Sequence, residues 1–299
     1  MHITFRTVLI TILKKIEIKT NSWNPPLLNV KFMQFKTEFS DKQAEAYING
    51  GSGEEVTINE NLQSIAKLRI VPRVLRNIES VDTSIKDQIG LDRSPIVIGP
   101  TAFHQLASAQ AELATSTAAS KTKTPYIISC YASMDIHSLV KNIDKNIYWQ
   151  QLYIFDDKQI TEKILDHAET YDAKAIVVTV GAAVSGNRNR EKKADWKIPK
   201  DFIHLVENAN HLESFELSQR LSKKRACWKD IEWLRLKTNL PIVLKGILDK
   251  NDAKMAFDHG CDAIVVTNHG GRQMDGVVNA TDVIQEIRQE LGPQFAIYV

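Results

Sequence analysis

The stretch "TNHGGRQ", residues 267–273, places a histidine and an arginine three positions apart in a loop with two glycines. A neutral imidazole can take a proton, and a guanidinium holds a carboxylate through two hydrogen bonds. Glycine lets the backbone turn tightly or approach a ligand closely. His269 and Arg272 therefore suit proton removal from a small anionic substrate. The plainer alternative is a strand-end turn with an exposed histidine and a solvated arginine. Lys245 weighs against it, since it lies inside the apolar run "PIVLKGI" and a buried ammonium needs an anion or a strong acceptor. Arg188 in "VSGNRNRE" is a second candidate clamp, and Tyr153 follows the polar pair Gln150 and Gln151 in an otherwise apolar run. Tyr47 in "AYINGG" reads, from the residues alone, as a packing aromatic.

These groups need a scaffold. Seven short, nearly continuously apolar runs recur, at 95–100, 126–131, 149–155, 175–180, 241–247, 263–268 and 295–299. Helix-like stretches lie between them, among them 110–121, 157–171 and 251–260, the last closing on Gly260. Strand followed by helix, repeated, predicts a parallel sheet with helical crossovers. Seven strands point to a TIM-type (β/α)8 barrel, and periodicity alone leaves a doubly wound sheet open. A barrel collects its chemistry at the C-terminal strand ends. The candidates stand there: Pro100, Thr101 and Ala102; Ser129 with Tyr131; Gln151 with Tyr153; Thr179; Lys245; and Thr267 with His269 and Arg272. Residues 1–35 read as an extension and linker and 36–299 as the functional domain. Within it, 36–92 is expected to be a helical cap across one barrel mouth, and 93–299 the barrel itself. The long charged connection 182–240 is a lid or substrate loop, or else a solvated excursion.

Composition excludes several classes. A formal charge of +2 is too small to suggest nucleic acid or an acidic membrane surface. Three scattered cysteines give neither a disulfide framework nor a metal motif. His104, His137, His167, His204, His211 and His259 share no metal-ligand spacing, so no metal is expected. There is no HExxH, Walker loop or nucleophile elbow, and "GGSG" at 50–53 follows no strand. The apolar run Val8 to Leu13 is short for a signal peptide and has no clear cleavage site.

The motifs "PRVLRNIESVDTS", "PIVIGPTAF", "QLY", "CWKDIEWL", "LPIVLKGI" and above all "TNHGGRQ" resemble the FMN-dependent α-hydroxy acid oxidase/dehydrogenase family, from about residue 36 to the last. The resemblance implies oxidation of a small (S)-2-hydroxy acid to the 2-oxo acid, with O2 reduced to hydrogen peroxide. It makes His269 the catalytic base and sets Arg272 and Arg188 on the substrate carboxylate, with Tyr47 and Tyr153 on its carboxylate and hydroxyl. FMN would lie against the backbone of Pro100, Thr101 and Ala102. Ser129, Gln151 and Thr179 would bond its ring edge, Lys245 its electron-rich side, and Thr267 would stand near the ribityl chain. A soluble cytoplasmic or peroxisomal protein, commonly a tetramer, is implied.

Two departures set a competing expectation, a catalytically impaired member of the family. The fourth strand ends Thr179-Val180-Gly181, where the family carries an Asp that holds the catalytic imidazole. The family pattern also continues past the seventh strand into an Asp-Gly-Gly phosphate loop and an eighth strand, whereas the sequence ends at Val299. On that reading the barrel is incomplete and grips FMN weakly.

Overall fold

The computed structural model describes residues 41–199 and 226–299, apart from 78, 81, 88, 90 and 91. The extension and linker, 1–35, and much of the long connection, including His204 and His211, lie outside the described residues. Two helices open the described chain, α1 (Lys42–Asn49) and α2 (Val56–Lys67). The described part of the expected helical cap beyond Lys67 is not helical, and carries only an antiparallel pair, β1 (Ile85–Lys86) and β2 (Asp92–Arg93). Pro72 cannot donate to a helix and turns Val71 away from helical geometry. Ile70, Val71, Val74 and Leu75 stay largely exposed, so no burial favours a helix there.

The strands β3 (Tyr126–Ile128), β4 (Tyr148–Leu152), β5 (Ile176–Thr179), β6 (Ile242–Ile247), β7 (Ala263–Val266) and β8 (Ala296–Tyr298) form one parallel sheet in unbroken chain order. That order is the one a β/α barrel demands, because a doubly wound sheet reverses at a switch point. The first apolar run contributes a single parallel bridge, Ile98 to Tyr126. Ile98 N donates to Pro125 O (2.8 Å) and Ile127 N to Ile98 O (2.9 Å).

Side chains alternate across the sheet with period two. Outward residues such as Ile128, Leu152, Ile176, Leu244 and Ile264 pack beneath the helices, while Ile127, Trp149, Val177, Val243 and Val265 form a separate inner core. Two residues farther along each strand, the same inner side turns polar at Ser129, Gln151, Thr179, Lys245 and Thr267. The strand period thus converts scattered sequence positions into one layer.

The crossover helices α3 (Ala111–Thr122), α4 (Ile136–Val140), α5 (Lys158–Thr170), α6 (Asn189–Lys193), α7 (Trp228–Lys237), α8 (Lys250–Asp258) and α9 (Ala280–Leu291) follow local signals. Asp157 and Asp249 cap α5 and α8 by accepting from Gln159 N and from Asn251 N and Asp252 N. Ile160, Ile164 and Leu165 bury at helical spacing on α5, each contributing about 1.5–3 kcal/mol of transfer free energy. No helix among the described residues is long and apolar enough to cross a membrane.

Candidate active site

Three loops interlock over the C-terminal end of the sheet. The "GGSG" turn after α1 meets the loop after β7, with Ser52 N donating to Gly271 O (2.9 Å) and Ser52 Oγ to Gln273 O (2.8 Å). The loop after β5 joins them through Gly53 N to Asn187 O (2.8 Å). Glycine is needed where the loops touch: a Cβ on Gly186 would lie 2.2 Å from Arg272 O. Asp275 caps α2 from a distance by accepting from Thr57 N and Glu54 N, each at 2.9 Å. Those backbone donors hold its carboxyl below the ordinary value.

His269 heads this assembly with a left-handed backbone, φ 60°, as do Gly270 and Gly271 after it. Such a conformation in a non-glycine residue costs of order 1 kcal/mol and must be held from outside. The holders are on both sides. Thr267 Oγ1 accepts from His269 N (3.2 Å), and Asn268 accepts from Gly271 N (3.1 Å) while exchanging hydrogen bonds with Asn61 of α2. Arg272 Nη1 donates to Tyr47 O (2.7 Å) and Gly50 O (2.5 Å), and its guanidinium lies 4.9 Å from the centre of the Tyr47 ring. Arg188 Nε donates to Arg272 O at 3.1 Å. The two arginines are thus bonded to one another and to the N-terminal helix.

Below them lies the polar layer. Gln151 Nε2 donates to Thr179 Oγ1 (3.1 Å), and its Oε1 accepts from Cys130 N (3.0 Å) and Ser129 Oγ (3.4 Å). These three side chains are almost fully buried. Thr179 pairs in register with Lys245. Thr101 bonds the His104 ring, fixing the Pro100–Ala102 turn from behind. All the candidates of both loops and strands line one cavity of about 2150 Å³: Tyr47, Pro100, Thr101, Ala102, Ser129, Gln151, Tyr153, Thr179, Arg188, Lys245, Thr267, His269 and Arg272.

Lys245 is only partly buried by area, yet the enclosing walls push its ammonium down to about 8, and desolvation is the whole cause. No anion among the described residues offsets it. A desolvated cation beside buried amide and hydroxyl groups fits a planar ligand with a hydrogen-bonding edge that becomes electron-rich. The unfolded chain keeps an ordinary lysine near 10.4, so it binds more protons between pH 8 and about 10.4. Stability of the ligand-free chain therefore rises with pH across that window, and the penalty is complete below it. Lys245→Met is expected to stabilise the ligand-free chain by about 1–2 kcal/mol at pH 7, with a smaller gain at pH 10. Urea unfolding at both pH values measures this, and an equal gain at both would remove the titration account.

Two neighbours escaped the sequence reading. Glu191 on α6 accepts from Arg188 Nη1 and from Arg272 Nη2, each at 3.1 Å, so the two arginines share one carboxylate. Trp196 stacks on Tyr47 at 4.5 Å between ring centres. Both sit in the charged stretch "NREKKADWK", whose composition is that of a solvated face; only the three-residue step from Arg188 to Glu191 hints at a pair. No group of metal-binding side chains occurs among the described residues.

Fold and site together define a β/α-barrel protein whose strand ends suit a planar ligand that gains electrons and whose loops suit a small anion. The chain belongs to the FMN-dependent dehydrogenase family, whose model matches residues 37–299. It is 34% identical over 255 residues to 2-hydroxyacid oxidase 2 of Mus musculus, covering 85% of this chain and 72% of that one. To the L-lactate oxidase of a Nostoc species it is 32% identical over 268 residues, covering 84% and 72%. The crystal structure of a mandelate oxidase superposes with a TM-score of 0.77 at 30% identity over 85% of this chain and 72% of that one. A mutant mandelate oxidase is known with a C4a-OH-FMN adduct. FMN is accordingly the cofactor of this family member.

Proposed function

We propose that the protein oxidises a small (S)-2-hydroxy acid, of the glycolate or lactate kind, to the 2-oxo acid and reduces O2 to hydrogen peroxide. The observation that carries this reading is the single cavity shared by His269, the paired arginines and the polar strand-end layer. FMN supplies the two-electron acceptor chemistry. Gln151, Ser129 and Thr179 would hold its ring edge, the Pro100–Ala102 backbone its face, and Thr267 its ribityl side. Lys245 would supply positive charge to the ring as it gains electrons. Arg272 and Arg188 take the substrate carboxylate, and His269 takes a proton as the hydroxy acid becomes a keto acid. Burial pushes the Tyr47 and Tyr153 phenols up, so both remain protonated donors to the substrate. Anaerobic addition of glycolate or (S)-lactate to the FMN-loaded protein should bleach the flavin, and air should then yield one peroxide per 2-oxo acid. A flavin that stays oxidised with glycolate, lactate and mandelate alike would overturn the proposal.

One local feature favours slow turnover. By the family resemblance, Gly181 takes the place of the Asp that would orient His269, and backbone crowds it: a Cβ there meets Gly246 Cα at 3.0 Å and Gly246 O at 3.2 Å. Gly246 has φ 119°, and its own Cβ would lie 2.5 Å from Gly181 N. The two glycines therefore fit each other. Gly181→Asp is expected to raise kcat by about tenfold or more through an oriented imidazole, with a small fall in Tm from the tight contact. Gly181→Asn keeps the bulk without the charge and should not raise kcat. If the folded Asp variant turns over no faster, the missing carboxylate is not what limits the rate.

A further inference from the structure

The clamp arginines meet an internal carboxylate before any substrate arrives. Glu191 Oε1 lies 3.1 Å from both Arg188 Nη1 and Arg272 Nη2, and the three side chains are only 12–20% exposed. Donor counting gives the remainder. A guanidinium has five N–H groups. Arg272 spends two on the Tyr47 and Gly50 carbonyls and one on Glu191, which leaves two. Arg188 spends one on Arg272 O and, through Nη1, two on the Glu191 oxygens at 3.1 and 3.4 Å, which leaves two. Glu191 thus takes part of the donor set and leaves enough for one further carboxylate. The local charge is two guanidinium groups against one carboxylate, a single net positive charge.

We propose that Glu191 is a positioning residue that holds both arginines and limits the seat to one more negative charge, so that it selects monocarboxylates over dicarboxylates. A second ligand carboxylate meets the low-dielectric field of Glu191, where like charges placed together are strongly disfavoured. This rests on the reading of Arg188 and Arg272 as the substrate clamp.

Oxamate and oxalate test it, because they share a shape and differ by one charge. Calorimetric titration of the FMN-loaded full chain should give tighter binding of oxamate. In Glu191→Gln, the ratio of the two dissociation constants should move toward oxalate by about tenfold or more, the effect of removing one nearby like charge. Glu191→Asp keeps the charge and should keep the wild-type preference, which serves if the Gln variant unfolds. A parallel change for both anions in Glu191→Gln, in either direction, would mean a structural prop or a competing occupant and overturns the inference alone. Failure of the wild-type chain to bind either anion overturns the clamp reading with it.

Discussion

His269→Gln should lower the rate of anaerobic flavin reduction by about 10²–10⁴-fold, the span of a positioned general base, while leaving FMN affinity within a few-fold. Glutamine keeps a polar side chain of similar reach and cannot take the proton. The affinity should hold because the strand-end groups assigned to FMN are fixed independently, Gln151 by Cys130 N and Thr179, and Thr101 by His104. The loop should also hold, since Asn268 anchors it to Asn61 and Ser52 anchors it at Gly271 O. Stopped-flow bleaching with saturating substrate, beside an FMN titration, separates the two. A bleaching rate within tenfold of wild type would remove His269 from the role of base.

Arg272→Met should act on both stability and binding. It strands the Tyr47 and Gly50 carbonyls and leaves Glu191 with Arg188 alone. Breaking a buried pair costs about 3–5 kcal/mol; with Arg272 one-fifth exposed, about 2–3 kcal/mol is expected, read as a lower urea midpoint. Loss of a charged clamp should also raise KM by about 100-fold or more, the lower end for truncating a buried charge pair. Arg272→Lys separates the contributions. A point charge restores the pairing with Glu191 but cannot serve two carbonyls and two carboxylates at once, so stability should recover further than KM. An Arg272→Lys variant with wild-type KM would show that charge alone suffices.

The strand-helix alternation was written in the sequence, because buried parallel strands must be apolar on both faces and their crossovers amphipathic. Runs such as "AIVVTV" and "PIVLKGI" became β5 and β6 at nearly the expected bounds. The site types were legible for a related reason: Lys245 and the Gln150–Gln151 pair break runs that are otherwise apolar in character. The segment after Lys67 was not legible, since helical propensity there finds nothing to pack against.

What the sequence determined by itself is the list of groups: a histidine, two guanidinium groups, a lone lysine and polar residues at most strand ends. The tertiary structure decided their company. Register and period two brought Ser129, Gln151, Thr179, Lys245 and Thr267 to one face. Glycine contacts at Gly186 and Gly271 let the loops interlock, and only then did Glu191 come to bridge Arg188 and Arg272. Residue spacing encodes which side of a strand or helix a group faces. Which distant charge it will meet there is set by how the loops close over one another, and that leaves no periodic trace in the chain.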